Sequence, residues 1–109
     1  MSDIADLTKK LIAFRDVRDW KQFHNPKDLA VALSIESGEL LEAFLWKSPE
    51  EASQDKVKEE LADVFAYAFL LANECGLDVA EIVAEKIEAN NLKYPVNKAK
   101  GSAKKYNEI

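Results

Sequence analysis

Apolar residues recur along this chain at steps of three and four, the spacing that places side chains on one face of an α-helix. No stretch alternates between apolar and polar residues as a half-buried β-strand does. The pattern therefore predicts an all-α fold with four long helices. Their expected spans are Asp3 to Arg18, Asn25 to about Trp46, a third helix that contains Val57 and ends at Gly76, and Asp78 to Tyr94.

Capping residues mark the expected helix boundaries. Ser2 is a candidate N-cap for the first helix, and Asn25 followed by Pro26 has the cap-and-proline order of a helix start. Ser48, Pro49 and Glu51 form a possible capping box that opens a short turn before the third helix. Gly76 supplies a residue tolerant of the left-handed conformation, Asp78 and Glu81 form another possible capping box, and Pro95 closes the fourth helix.

The 109 residues have the length of one domain, and a basic tail without periodicity follows from about residue 96. The second and third helices are apolar on more than one face, which one four-helix chain cannot easily cover. We therefore expect a four-helix bundle that is completed by association into a homodimer or homotetramer. The residues outside the main apolar stripes are Val31, Ile35, Leu45, Phe65 and Phe69.

Composition narrows the possible partners and location. A net charge of -5 disfavours general binding to nucleic acid or to an anionic membrane surface, both of which require an excess of basic residues. No apolar run reaches the roughly 18 to 20 residues of a membrane span. The single Cys75 excludes an internal disulfide, and the first ten residues lack the apolar core of a signal peptide, so a cytoplasmic location is expected.

Two pairs of acidic residues lie at the border of the apolar stripes. Glu36 and Glu39 are three residues apart on the second predicted helix, and Glu60 and Asp63 repeat the spacing on the third. A single pair of this kind is more often a solvated face. The matched pairs would repel each other if the helices were neighbours, and a cation between them would remove that repulsion. Carboxylate oxygens suit Mg²⁺ or Mn²⁺, so we expect a metal site at these four residues.

A polar face on the fourth predicted helix suggests phosphate binding. Lys86, Asn90 and Lys93 follow each other at helical spacing, and Tyr94 comes next. The face is either an ordinary solvated surface or, if it lies opposite a carboxylate-bound metal, a clamp for a polyphosphate. The single His24 argues against a di-iron bundle, which uses repeated Glu-x-x-His motifs.

Longer segments carry a resemblance to a known family. "SIESGELLEAFLWK" and "EELADVFAY" together give E-x-x-E, a gap of 20 residues and E-x-x-D. This arrangement resembles the all-α nucleoside triphosphate pyrophosphohydrolases of the MazG-like superfamily. "RDWKQFHNPKDLA" and "KYPVNKAKGSAKKY" are similar to segments of the dCTP pyrophosphatase branch, so the resemblance covers about Phe14 to Tyr106.

The resemblance implies Mg²⁺-dependent cleavage between the α- and β-phosphates of a nucleoside triphosphate, giving a monophosphate and pyrophosphate. Glu36, Glu39, Glu60 and Asp63 match the metal-ligand positions and are the expected catalytic residues. One position departs from that branch, because Leu11 stands where a histidine of the first helix can reach the ligand. The residues that match the nucleotide-holding positions are Trp20, Lys21, Gln22, Phe23, His24, Trp46 and Tyr67.

Several alternatives stay open on the sequence. Glu39 or Glu42 is the candidate base for the attacking water. Without the resemblance, the aromatic residues would be assigned to the core and His24 to a structural role. The chain can also be a non-catalytic, Mg²⁺-binding oligomerisation or regulatory module, or a related enzyme that acts on another triphosphate such as phosphoribosyl-ATP.

Overall fold

The computed structural model describes residues 3–109, so Ser2, the predicted first N-cap, lies outside the described residues. Every regular element within this range is helical, which confirms the all-α prediction. Short 3₁₀ turns at Lys21–Phe23 and Pro49–Glu51 precede the second and third helices. The α-helices are α1 (Asp3–Asp16), α2 (Pro26–Glu42), α3 (Gln54–Glu74), α4 (Val79–Lys93) and α5 (Val96–Ala99).

The predicted capping residues lie at the ends of helices in the structure. The Asn25 side chain accepts a hydrogen bond of 2.8 Å from the backbone N–H of Asp28, and Pro26 is the first residue of α2. The Asp78 carboxylate accepts one of 3.3 Å from the N–H of Glu81 at the start of α4. Gly76 has φ +68° just beyond the end of α3, a conformation that glycine adopts without a Cβ clash.

Two expected helix ends and the expected conformation of the tail differ from the structure. α1 ends at Asp16 rather than Arg18, because the chain turns tightly there and Asp19 has a φ of +56°. α2 ends at Glu42 rather than Trp46, and the next residues form tight turns that lead to a left-handed Trp46 with φ +61°. The tail after residue 95 was expected to be irregular, but it contains α5.

The chain divides into two compact units, Met1–Leu77 and Asp78–Ile109. In the first unit, α3 packs against both α2 and α1. Its fully buried apolar core is small among the described residues, and Leu7 and Phe14 on α1 are about half exposed. The arrangement as one domain stays a prediction. The buried apolar residues are Leu29, Ala43, Leu70 and Ala72.

The extra apolar positions of α2 and α3 are accessible on this protomer. Val31, Ile35, Leu45 and Phe65 each expose half of their surface or slightly more. These are among the residues that the helical pattern placed outside the main stripes. The homo-oligomer that would cover them stays a prediction.

Candidate active site

Carboxylates from two neighbouring helices meet in the first unit. Glu36 projects from α2, while Glu60 and Asp63 lie one turn apart on α3. One oxygen from each of these three side chains lies within 4.8 Å of the other two. Because α2 packs directly on α3, the matched spacing in the two helices becomes a single acidic group.

This acidic group is only partly neutralised by protein side chains. Glu60 is a buried acid with 5% of its surface exposed, and its Oε1 lies 2.7 Å from the Lys56 ammonium nitrogen. The second oxygen of Glu60 and Oε2 of Glu36 are buried and have no hydrogen-bond partner among the described residues. Unpaired buried oxygens are costly, and they are the feature expected where an external ligand completes the site.

The protonation of Glu36 reflects this crowding. Its pKa is raised from 4.5 to about 7, first because burial disfavours the charged carboxylate. A hydrogen bond with the Glu39 carboxyl group and repulsion from the neighbouring acids raise the pKa further. A cation among the carboxylates would reverse these effects by favouring the ionised form.

Glu39 borders the group rather than belonging to its tight centre. It is not among the three residues whose oxygens converge within 4.8 Å, although its carboxyl group interacts with that of Glu36. Glu42 is the last residue of α2 and is exposed. The geometry thus distinguishes a close set of three acids from a fourth acid beside it.

The donor set fits a hard divalent cation. All three converging groups offer oxygen, and two of them have buried oxygens that accept no hydrogen bond from residues 3–109. Mg²⁺ and Mn²⁺ prefer oxygen ligands, whereas zinc sites usually contain cysteine or histidine. The chain therefore has an acidic cluster suited to binding a metal ion.

An open cavity of about 370 Å³ adjoins the acidic group. Asp63 belongs to both, and Tyr67, one turn further along α3, also lines the cavity. Burial and the nearby carboxylates, Glu36 first among them, raise the pKa of Tyr67, so its hydroxyl group stays protonated. The other lining residues are Leu11, Phe14, Arg15, Trp20, His24, Ala66 and Leu70.

The Trp20 ring is held at this cavity by its neighbours. Phe14 meets it edge to face, with 5.7 Å between ring centroids. The Arg18 guanidinium carbon lies 3.7 Å from the Phe14 ring centroid and 5.9 Å from that of Trp20. Arg18 Nη1 also donates a 2.9 Å hydrogen bond to the Phe14 carbonyl. A flat ring fixed in this way offers a surface on which a base can stack.

The predicted nucleotide-holding residues do not all lie together. Trp20, His24 and Tyr67 line the cavity, whereas Lys21, Gln22 and Phe23 form the exposed 3₁₀ turn and do not line it. The Gln22 amide is already used, because it donates to the carbonyl and the carboxylate of Asp19. Trp46 is 93% exposed and does not line the cavity of its own chain.

The predicted phosphate-binding residues belong to the second unit, which is described by itself. Lys86 and Asn90 line a second, more open cavity on α4 together with Ile82, Val83 and Ile87. The Lys93 ammonium nitrogen lies 5.1 Å from the centre of the Tyr106 ring, and Tyr94 meets that ring edge to face at 6.3 Å. Lys86 and Asn90 thus line the open cavity on α4, whereas Lys93 and Tyr94 contact the Tyr106 ring.

Arg15 is a residue of the cavity that the sequence reasoning missed. It is 3% exposed and forms ion pairs with Glu74 at 2.9 Å and Asp16 at 3.0 Å. The sequence does contain a signal that Arg15 is buried. Arg15 falls one turn after Leu11 and two turns after Leu7, in line with the apolar stripe of α1. A charge at a core register is uncommon enough to mark a special environment.

Comparisons with known proteins agree with this fold. Residues 31–109 match the MazG-like family. Rat dCTP pyrophosphatase 1 is 40% identical over 97% of this chain and 67% of its own length. The human protein of the same name is 37% identical, again over 97% and 67%. A crystal structure of a pyrophosphatase from Archaeoglobus fulgidus superposes with a TM-score of 0.80 and 39% identity, covering 87% of this chain and 94% of that one.

The chain belongs to the MazG-like family. The relatives confirm both the predicted family and the predicted enzyme class, a nucleoside triphosphate pyrophosphohydrolase. Among the described residues, no helix has the length and apolar character needed to cross a membrane.

Proposed function

We propose that this chain hydrolyses a dCTP-like deoxynucleoside triphosphate to the monophosphate and pyrophosphate with the help of Mg²⁺, removing surplus or non-canonical nucleotides. The observation that carries the proposal is the shared position of Asp63, which belongs to the acidic cluster and also lines the aromatic cavity. A base in the cavity and phosphates at the cluster would thus be close together. The names of the rat and human relatives favour dCTP as the first substrate to test.

The side chains of the cluster have distinct roles in this proposal. Glu36, Glu60 and Asp63 would hold the metal ion, and Mn²⁺ is an acceptable substitute because its ligand preference is similar. Bound Mg²⁺ would lower the pKa of a coordinated water and offset charge on the leaving pyrophosphate. Glu39 borders Glu36 and is therefore a better placed proton acceptor for the attacking water than the exposed Glu42.

The assignment of the polar face of α4 to phosphate stays a prediction from the sequence. Lys86, Asn90, Lys93 and Tyr94 offer ammonium, amide and hydroxyl donors from α4 and its C-terminal end. Charge-assisted hydrogen bonds from lysine suit phosphate oxygens, as expected for a clamp.

Lys21, Gln22 and Phe23 lie next to Trp20 and are assigned to the rim of the base site.

A second copy of the chain would complete the site and cover the exposed apolar faces. Trp46 is 93% exposed on its own chain, so it can stack on a base only if the base lies outside its own cavity or in that of a partner. We therefore propose a homodimer or homotetramer in which Trp46 meets the nucleotide across the interface. A cytoplasmic location, expected from the composition, is part of the same proposal.

Direct measurement of pyrophosphate release from the four dNTPs, with and without Mg²⁺, tests the proposed activity. We expect Mg²⁺-dependent turnover with dCTP preferred, and loss of turnover in Glu36→Gln, Glu60→Gln and Asp63→Asn with helix content unchanged by circular dichroism. An exposed carboxylate on α4, changed in Glu88→Gln, is the control and should keep wild-type activity.

The alternative function gives a different result in the same experiment. A non-catalytic module that binds Mg²⁺ for structure would gain thermal stability from the ion but release no pyrophosphate from any nucleotide. If neither turnover nor a change in melting temperature appears up to millimolar Mg²⁺, the metal site itself is wrong.

A further inference from the structure

One ion pair of α3 extends from the protein surface into the acidic group of the candidate active site. The Lys56 ammonium nitrogen lies 2.7 Å from Oε1 of Glu60, one helical turn further along. The two side chains have different surroundings, because that of Lys56 is 52% exposed and that of Glu60 is 7% exposed. The pair thus joins a solvent-accessible cation to a buried acid.

The stability of α3 does not account for a lysine at this position. Lys56 is the third residue of α3, and its backbone N–H donates a 3.3 Å hydrogen bond to the Ser53 side chain that caps the helix. A positive charge in the first turn lies at the positive end of the helix dipole, which disfavours it. A lysine that precedes a glutamate by four residues is also the weaker order for a helical pair. The contact with Glu60 therefore needs another explanation.

The Glu60 carboxylate is only half satisfied by this contact. Its Oε1 accepts from Lys56, whereas its Oε2 is buried and has no hydrogen-bond partner among the described residues. Oε2 of Glu36 is in the same state, and Asp63 brings a third carboxylate into the group. An ammonium group is a compact point charge, so it can offset part of this negative charge. It cannot replace the several oxygen bonds of a divalent ion.

We propose that Lys56 is a stand-in cation, which pairs with Glu60 in the metal-free protein and releases the carboxylate when a divalent ion binds. The proposal rests on the proposed function, because it concerns the metal site of the same enzyme. Two cations at one carboxylate repel each other. Lys56 can move away at low cost, since its flexible stem is already half in solvent. It thus helps the acidic group to fold without metal and lowers the affinity for the ion.

The metal affinity of a variant without the ammonium group tests the proposal directly. Lys56→Met keeps an apolar stem of similar length. At pH 8 and without nucleotide, Mn²⁺ binding can be followed by electron paramagnetic resonance of the free ion. The dissociation constant of Lys56→Met should be about 10-fold lower than that of wild type, the scale of one hydrogen bond to a charged group. An unchanged or higher dissociation constant overturns the proposal, since a structural pair would leave it unchanged and a lysine that orients Glu60 for the metal would raise it.

Two further variants separate the ion pair from a general change of charge. Lys58→Met removes an exposed lysine two residues further along α3 and changes the net charge equally. It should bind Mn²⁺ as wild type does, and so should Lys56→Arg, which keeps a positive charge at the position of the pair. An equal gain in affinity in Lys56→Met and Lys58→Met would be a long-range effect of charge and would contradict the assigned role.

Thermal unfolding of the same variants gives a second readout. In a chelator, Lys56→Met should unfold at a lower temperature than Lys58→Met, because Glu60 is left buried without its counter-charge. Saturating Mg²⁺ should remove most of this difference, since Lys56 no longer pairs with Glu60 in the metal-bound protein. A structural ion pair that persists would keep the same difference with and without Mg²⁺, and that result would exclude a stand-in cation.

The wild-type protein provides a measurement that does not depend on the folding of Lys56→Met. Nuclear magnetic resonance detects a scalar coupling between the Lys56 ammonium nitrogen and the Glu60 carboxyl carbon through their hydrogen bond. We expect this coupling in the metal-free protein and its loss at saturating Mg²⁺. A coupling that persists with Mg²⁺, or that is missing without it, overturns the proposal.

Failure of the proposed function can be separated from failure of this inference, because none of these measurements contains a triphosphate. If they give the expected results and no dNTP releases pyrophosphate, the enzymatic proposal alone is wrong. If pyrophosphate is released and Lys56→Met binds Mn²⁺ no more tightly than wild type, this inference alone is wrong. A wild type that binds neither Mn²⁺ nor Mg²⁺ overturns the inference whatever its turnover.

Discussion

The Glu36 carboxyl group links the stability of the fold to pH. Its pKa in the folded protein is about 7, compared with an ordinary value of 4.5. Between those values the folded state holds a proton that the unfolded chain has released. The group therefore stabilises the metal-free fold at low pH, and this contribution is lost as the pH rises through the folded-state value.

We expect the free energy of unfolding of metal-free wild type to fall relative to that of Glu36→Gln between pH 5 and pH 8. Urea unfolding in a chelator, repeated at several pH values, measures this difference. Glu88→Gln, on the exposed face of α4, is the matched control and should follow the wild-type curve. A pH-independent difference between wild type and Glu36→Gln would show that burial and the neighbouring acids do not raise the pKa of Glu36 in the folded protein.

Mg²⁺ should stabilise wild type most strongly at the high end of this pH range, where no proton competes for the site. A ligand of the folded state contributes about 2.7 kcal/mol at a hundredfold excess over its dissociation constant. Glu36→Gln should show a clearly smaller gain, because a neutral amide would replace one of the negative charges that attract the cation.

At the scale of a helix, α2 ends in irregular turns. Hydrogen bonds to residues three positions back replace the α-helical pattern from Ala43 onwards, and Trp46 then adopts φ +61°. A left-handed conformation costs a residue with a side chain on the order of 1 kcal/mol relative to glycine. This strain, together with the exposure of the ring, agrees with a functional rather than a packing role for Trp46.

We expect Trp46→Gly to be more stable than Trp46→Ala by about 1 kcal/mol, since both remove the ring and only glycine relieves the backbone. Thermal or urea unfolding of the two variants measures the difference. Both should weaken nucleotide binding by about 10- to 100-fold if the ring stacks on the base. Equal stability of the two variants would contradict the left-handed conformation at this position.

At the scale of the whole molecule, the single chain leaves many large apolar side chains exposed. Ile35 on α2 is 56% exposed and Phe65 on α3 is 53% exposed, while few apolar residues are fully buried. Large exposed apolar patches on soluble proteins usually mark interaction surfaces. Association of identical chains would bury them.

We expect wild type to sediment as a dimer or tetramer at micromolar concentration and Phe65→Glu to shift it towards monomer, because a charge would be buried in the interface. Analytical ultracentrifugation measures the mass, and Phe65→Leu is the matched control that keeps an apolar side chain. A wild-type protein that is monomeric and fully active would show that these faces have another use.

Local features of the fold were predictable because short-range physics decides them. The helix starts at Asn25 and Asp78 depend on a side chain that accepts from a backbone N–H three residues later. The ends of α1 and α2 were predicted too late, since apolar spacing continues past the point where the backbone turns. Arg15 was missed because the partner that makes its burial tolerable, Glu74, is distant in the sequence.

The sequence by itself determined the helices and the two pairs of acids, because spacing along one chain fixes which side chains share a helical face. Its motifs also carried the resemblance to the family. Only the tertiary structure decided which of those acids converge, since Glu36 meets Glu60 and Asp63 through the packing of α2 on α3. It also decided that Trp20 and His24 share a cavity with Arg15, whereas Trp46 is exposed and does not line that cavity. Distances and burial between separate helices arise from packing, which no local pattern encodes.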